Sequence, residues 1–131
     1  MNREEYEKSK IYYDLTNCPF CTKLNKSKIL YENKYWFVIK NDYPYFWCNH
    51  HLLAIPKRHV SNTKDLTKAE FSLFPEIEKF LNKYYKNLWD YFSFIRQSKS
   101  NKSVEHLHYH YLLGIPSAYM ENWKRRIKIT L

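Results

Sequence analysis

The chain has 131 residues, of which 44% are hydrophobic and 19% aromatic, enough apolar side chain for one folded domain and too much for a disordered segment. Lysine and arginine number 22 against 13 acidic residues, a net charge of +9, which directs attention to polyanionic partners such as nucleotides or nucleic acid, although solubility alone also favours a charged surface. No apolar run approaches the roughly 18–20 residues of a membrane span and residues 1–10 are charged, so the sequence reads as a soluble, cytoplasmic protein with no membrane partner.

In chain order, a polar arm (1–17) leads to Cys18-Pro19-Phe20-Cys21. This pair is either a redox dithiol or half of a metal knuckle, and the loop-like residues 14–17 before it supply no strand of the kind a thioredoxin-like dithiol follows, which favours metal. Cys48, with no partner at a useful spacing, reads as a small buried hydrophobe. Residues 28–32 and 35–40 predict two strands of a hairpin turning at 32–34. Residues 52–55 predict a short strand halted by Pro56, which places Lys57, Arg58 and His59 at its end. Thr67 and Glu70 have capping-box spacing, and Phe71, Phe74, Ile77, Leu81 and Tyr84 then recur on one helical face to about Tyr85, with Pro75 kinking the helix or delaying its start. Residues 91–97 and 106–113 predict two further strands around a polar loop, 98–103. The order ββ, β, α, β, β predicts an α+β domain, an antiparallel sheet with one main helix packed on it. All of 1–131 reads as a single domain, with 114–131 as a basic, tryptophan-bearing tail. A single glycine, Gly114, excludes glycine-rich phosphate loops.

The segment His106-Leu107-His108-Tyr109-His110 carries the most chemistry. In a strand its three rings share one face at steps of about 6.6 Å, while Leu107, Tyr109 and Tyr111 pack on the other. Clustered histidines aimed one way are suited to binding and to nucleophilic or acid–base work near neutral pH.

This segment, continued by Tyr111-Leu112-Leu113, resembles the histidine triad motif. His51-Leu-Leu-Ala-Ile-Pro-Lys-Arg-His59 is similar to the family's His-x-Leu-x-Ile-Pro-Lys-x-His segment, and Cys18-Pro-Phe-Cys21 resembles the zinc knuckle of its bacterial members that act on diadenosine polyphosphates. Asn41-Asp-Tyr-Pro44-Tyr45 is similar to that branch's Asn-x-x-Pro-Tyr strand end. The resemblance implies a five-stranded sheet and a structural Zn2+ held by Cys18, Cys21, His59 and His106, four N/S ligands that close a tetrahedron. It implies that His108 is the nucleophile, attacking the α-phosphate of a nucleotide to give a nucleotidyl-histidine. His110 and His51 map to phosphate contacts, Ser103 to a hydrogen bond on phosphate or leaving group, and Asn41 to a ribose contact. It also implies a homodimer joining two sheets edge to edge.

The chain departs from the pattern in three places. The loop before the triad has no glycine, and Lys102 stands where a glutamine is usual, adding charge for a longer phosphate chain or marking lost catalysis. The preceding strand offers Arg96 and Gln97 in place of an asparagine. The stretch 44–51 is longer than is usual there. Two other functions fit the residues: a nucleotide or single-stranded nucleic-acid binding module using the charge and the stacking surfaces of Trp47 and Trp123, and a zinc-stabilised interaction protein with a dead site.

Overall fold

The computed structural model describes residues 18–22, 24, 26–98 and 104–119; Ser103, Lys102, Trp123, the arm 1–17 and most of the tail lie outside the described residues.

Asn33 turns the chain after the first strand. Its Oδ1 accepts from the backbone N–H groups of Tyr35 and Trp36 at 3.0 and 2.9 Å, a short side chain standing in for a backbone turn partner. β1 (Ile29–Glu32) and β2 (Trp36–Lys40) therefore pair antiparallel. β3 (Leu52–Pro56) lies against the other side of β2, with Pro56 at its very end, where a missing N–H disturbs the ladder least. β4 (Tyr91–Ile95) and β5 (Tyr109–Leu113) complete a five-stranded sheet in the order β1-β2-β3-β5-β4, every neighbouring pair antiparallel. The predicted α+β sheet is present, with β4 ending two residues earlier than the sequence suggests and β5 starting three residues later.

The capping box forms as its spacing predicts: Thr67 Oγ1 accepts from the Glu70 N–H at 3.1 Å, and Glu70 Oε1 accepts from the Thr67 N–H at 2.8 Å. It starts only a short helix, α1 of the covering layer (Lys68–Ser72), because Leu73 breaks the run before the second helix, α2 (Phe74–Tyr85), which holds Pro75 in its first turn. There proline lacks only an N–H that would have no helical partner anyway. The break carries Phe71 off the buried face, leaving it 47% exposed, whereas Ile77, Leu81 and Tyr85 are buried. They pack on Trp36, Val38, Leu52, Ala54, Tyr109 and Tyr111, at about 1.5–3 kcal/mol for each fully buried aliphatic side chain.

The opposite sheet face carries a smaller apolar cluster, Phe37, Ile39, Leu53 and Ile55, against which Phe20, Leu24 and Ile29 pack. The register lines Ile39, Leu53, His110 and Phe94 across four strands on this face. Here the histidines gather.

Candidate functional site

The cysteine pair lies at a short helical turn, Pro19–Thr22, whose apolar Phe20 rests on the smaller cluster. β3 delivers His59 just beyond its end, and the Leu107 N–H donates to the Val60 carbonyl at 2.7 Å, which draws His106 alongside. Cys18, Cys21, His59 and His106 thus form a group able to hold a metal ion, with ligand atoms all within 4.8 Å of one another. Cys18 Sγ and Cys21 Sγ lie 3.5 and 3.4 Å from His106 Nδ1, and Cys21 Sγ lies 3.4 Å from His59 Nδ1. A tetrahedral site with metal–sulfur and metal–nitrogen bonds of about 2.3 and 2.0 Å separates sulfur from nitrogen by about 3.5 Å, so the donor set fits. His106 Nε2 donates to the Pro56 carbonyl at 2.7 Å, which leaves the lone pair on Nδ1, facing the sulfurs. Burial, together with the adjacent Cys18, raises the Cys21 thiol to about 11. A cation between the thiols reverses that penalty, because a coordinating thiol is held deprotonated.

The triad differs from the picture of three rings on one regular strand. Only His110 belongs to β5; His106 and His108 precede it, on a segment held by Val60 and Pro56. Leu107 still turns into the main core, so the alternation survives, and the His108 and His110 rings lean together, their centres 4.8 Å apart. His108 Nδ1 donates to the His106 carbonyl at 2.8 Å, which places the His108 lone pair on Nε2.

A second chain of bonds fixes His51 and His110. The Tyr45 backbone N–H donates to His51 Nδ1 at 3.1 Å; an amide N–H can only donate, so His51 carries its proton on Nε2 and gives it to His110 Nδ1 at 2.9 Å. His110 in turn carries its proton on Nε2. Asn41 sits at the same place, its side-chain nitrogen 3.3 Å from His51 Nδ1 and its Oδ1 accepting from the Tyr43 N–H at 2.9 Å.

Beside His108 a small pocket opens, walled by Phe20, Ile39 and Leu53 and edged by Asn41 and Asp42. Phe20 presents its ring edge-on to both His106 and His108, at 5.7 and 5.4 Å. The structure therefore brings together His51, His108, His110 and Asn41, next to the metal group of Cys18, Cys21, His59 and His106. His50 does not join them; its Nδ1 bonds the Tyr84 hydroxyl at 2.8 Å. Cys48 is half-buried and apart from the metal group.

Three further members were given no role by the sequence: Tyr45 and Arg96 stood out only as parts of a motif and of a departure from it, and Phe94 not at all. Phe94 stacks flat on His110 at 4.5 Å, Tyr45 stacks on it from 5.6 Å, and Arg96 lies over both aromatic rings, 5.3 Å from Tyr45 and 5.1 Å from Phe94. Tyr45 reaches this position through a tight turn, Tyr45–Trp47, in which Phe46 adopts a left-handed φ of 51°. This turn lies within the long 44–51 stretch.

An antiparallel sheet with clustered histidines on one face, beside a cysteine–histidine metal group, defines a histidine triad fold. The family described as "Scavenger mRNA decapping enzyme C-term binding" matches residues 16–125. The chain belongs to this family, and with it to the histidine triad superfamily. Among solved structures it is similar to a HIT family hydrolase from Clostridium thermocellum, at 30% identity and a TM-score of 0.62, covering 79% of this chain and 95% of that one. A histidine triad protein from Clostridium difficile shares the fold at 24% identity and a TM-score of 0.59, covering 79% and 95%. So does a Plasmodium falciparum diadenosine triphosphate hydrolase, at 19% identity and a TM-score of 0.58, covering 80% and 76%. No curated protein sequence matches the chain. Among the described residues no helix is long and apolar enough to cross a membrane.

Proposed function

We propose that the protein is a nucleotide hydrolase or nucleotidyl transferase acting on the α-phosphate of a nucleoside polyphosphate or phosphoramidate, with diadenosine polyphosphates among its substrates. The observation that carries this reading is the His108 Nδ1 bond to the His106 carbonyl, which orients an imidazole with its Nε2 lone pair beside the pocket. Nε2 attacks the α-phosphorus; a P–N bond forms as the bond to the leaving group breaks, and that group departs with the electron pair. Water then attacks phosphorus, the P–N pair returns to Nε2, and the proton of the water passes to solvent as the nucleoside monophosphate is released. His110, protonated on Nε2 by the bonding chain from Tyr45, supplies a donor for a non-bridging oxygen, and His51 holds it in that tautomer. Asn41 meets the ribose, Phe20, Ile39 and Leu53 meet the base, and Ser103 and Lys102 serve the phosphates or leaving group.

In this reading the metal is Zn2+ and its part is structural, since Cys18, Cys21, His59 and His106 fill all four positions and keep the knuckle on the sheet. Thiolate ligation suits the reducing cytoplasm, where we place the protein. We further propose a homodimer joined along β4, one of the two edge strands of the sheet, beside which Trp89 is 62% exposed and Leu88 and Ile115 are also exposed.

Intact mass after brief exposure to diadenosine tetraphosphate tests the chemistry. A nucleotidyl adduct on the wild type that is absent from His108→Ala supports it. Salt-sensitive oligonucleotide binding without turnover favours a nucleic-acid binding module, consistent with the +9 charge, and neither result favours an interaction protein with a dead site.

A further inference from the structure

Arg96 has no role in the chemistry above, yet it is held at the edge of the histidine cluster. It follows Phe94 by two residues, so strand alternation puts both on the face of His110, and it stands one step beyond the last sheet pair, Ile95 with Tyr109, level with His108. Its Nη1 donates to the Tyr45 hydroxyl, and its guanidinium lies over the Tyr45 and Phe94 rings, the two that stack on His110. Three contacts thus fix a side chain that otherwise has many rotamers. None of them is to a negative charge: among the described residues no carboxylate pairs with Arg96, whereas Arg58, the other arginine described, is paired with Glu70. A half-buried, immobilised cation without a carboxylate, beside imidazoles, is suited to an anion that arrives from outside.

The order of the strands says which part of a substrate that anion is. The apolar pocket borders β2 and β3, His108 and His110 come with β5, and Arg96 extends from β4, so pocket and guanidinium flank the histidines from opposite sides. We infer that Arg96 is a specificity-determining residue that binds the first phosphate of the leaving group, and so selects substrates in which the α-phosphate is joined to further phosphates over those in which it is joined to an amine. The inference rests on the nucleotidyl reading of the same site. As the P–O bond breaks, the departing phosphate oxygen takes the electron pair, and the fixed guanidinium offsets the negative charge that accumulates there; an amine leaving group, which takes the P–N electron pair together with a proton from solvent and departs neutral, gains nothing from it.

The test compares two substrates sharing one nucleoside and one α-phosphate, diadenosine tetraphosphate and adenosine 5′-phosphoramidate, on wild type, Arg96→Gln and Arg96→Lys, each checked for an unchanged melting temperature. Arg96→Gln should lower kcat/KM for the tetraphosphate about 10- to 100-fold and leave the phosphoramidate within about threefold, with Arg96→Lys between, because lysine keeps the charge without the planar fork. Calorimetry on His108→Ala provides a readout apart from turnover: a non-hydrolysable ATP analogue should bind more tightly than AMP, and adding Arg96→Gln should abolish that advantage. Equal losses on both substrates, or no loss on the tetraphosphate, overturn the inference while leaving the nucleotidyl reading intact. A wild type that turns over the phosphoramidate alone does the same. A wild type inert to both overturns that reading and the inference with it.

Discussion

The proposed function gives neighbouring histidines on one segment separable tasks, and single substitutions should separate them. His108→Ala should abolish the nucleotidyl adduct while keeping metal and fold, because its ring packs beside His110 and Phe20 and the metal group is made by Cys18, Cys21, His59 and His106. His106→Ala should lose metal and thermal stability first, since its Nδ1 approaches both sulfurs. His110→Ala should retain metal and adduct yet slow turnover on the order of 10²- to 10³-fold, the usual effect of losing one charge-stabilising donor. Metal content by mass spectrometry, melting temperature and single-turnover rate, measured on all three variants, check the assignment; a His108→Ala protein that loses its metal would contradict it. Cys18→Ser should lower stability by several kcal/mol in denaturant titration, because the free energy of binding such a metal is also folding free energy.

Among the elements, the capping box at Thr67 has the plainest energetics. Thr67→Ala should cost about 1 kcal/mol, read from a urea midpoint. The Glu70 carboxylate serves both that cap and the Arg58 guanidinium, at 2.9 and 3.2 Å, and the Arg58 bonds hold its pKa below the ordinary carboxylate value of 4.5. A depressed folded pKa means stability that is complete above about pH 4.5 and lost as pH falls through the lower folded value. Wild type should therefore lose more stability than Glu70→Gln between pH 6 and about pH 3, in thermal melts at each pH. This cap was legible in the sequence because its partners are three residues apart, as was the hairpin at Asn33; of the metal group the residues themselves offered only the cysteine pair, and His59 and His106 were added by the family resemblance. Pro75 also marked the interrupted helix start, which the break at Leu73 before α2 bears out, but the exposure of Phe71 was not legible, since that break interrupts a periodicity that Phe71 and Phe74 continue on paper. Nor was the start of β5, which depends on Leu107 finding Val60 from far along the chain. Tyr45, Phe94 and Arg96 lay beyond reach for the same reason: their contacts cross strands, and no local pattern brings them onto one imidazole.

On the scale of the whole molecule, β4 leaves its outer row of N–H and C=O groups at the sheet edge, beside exposed Leu88, Trp89 and Ile115. In the proposed homodimer this edge pairs with a second copy, which removes those groups from water. Light scattering at micromolar concentration should give twice the chain mass, and Trp89→Glu should shift it toward the single chain without removing metal. A single-chain mass for the wild type would reject the dimer.

Cys18 and His106 touch at 3.5 Å across 88 residues of sequence, whereas Cys21 and His59 are separated by 38. During synthesis at about 5–20 residues per second, the cysteine pair is made first and waits roughly 4–18 s for its last ligand. For most of that interval it is an ordinary dithiol, open to oxidation or to exchange with any thiol-binding metal. The residue that ends the wait stands two positions before His108, so a chain interrupted anywhere short of it lacks both a complete knuckle and the nucleophile of the proposed function. On that proposal, sequestration of the thiols and arrival of the attacking imidazole are, by the order of the sequence, nearly one event.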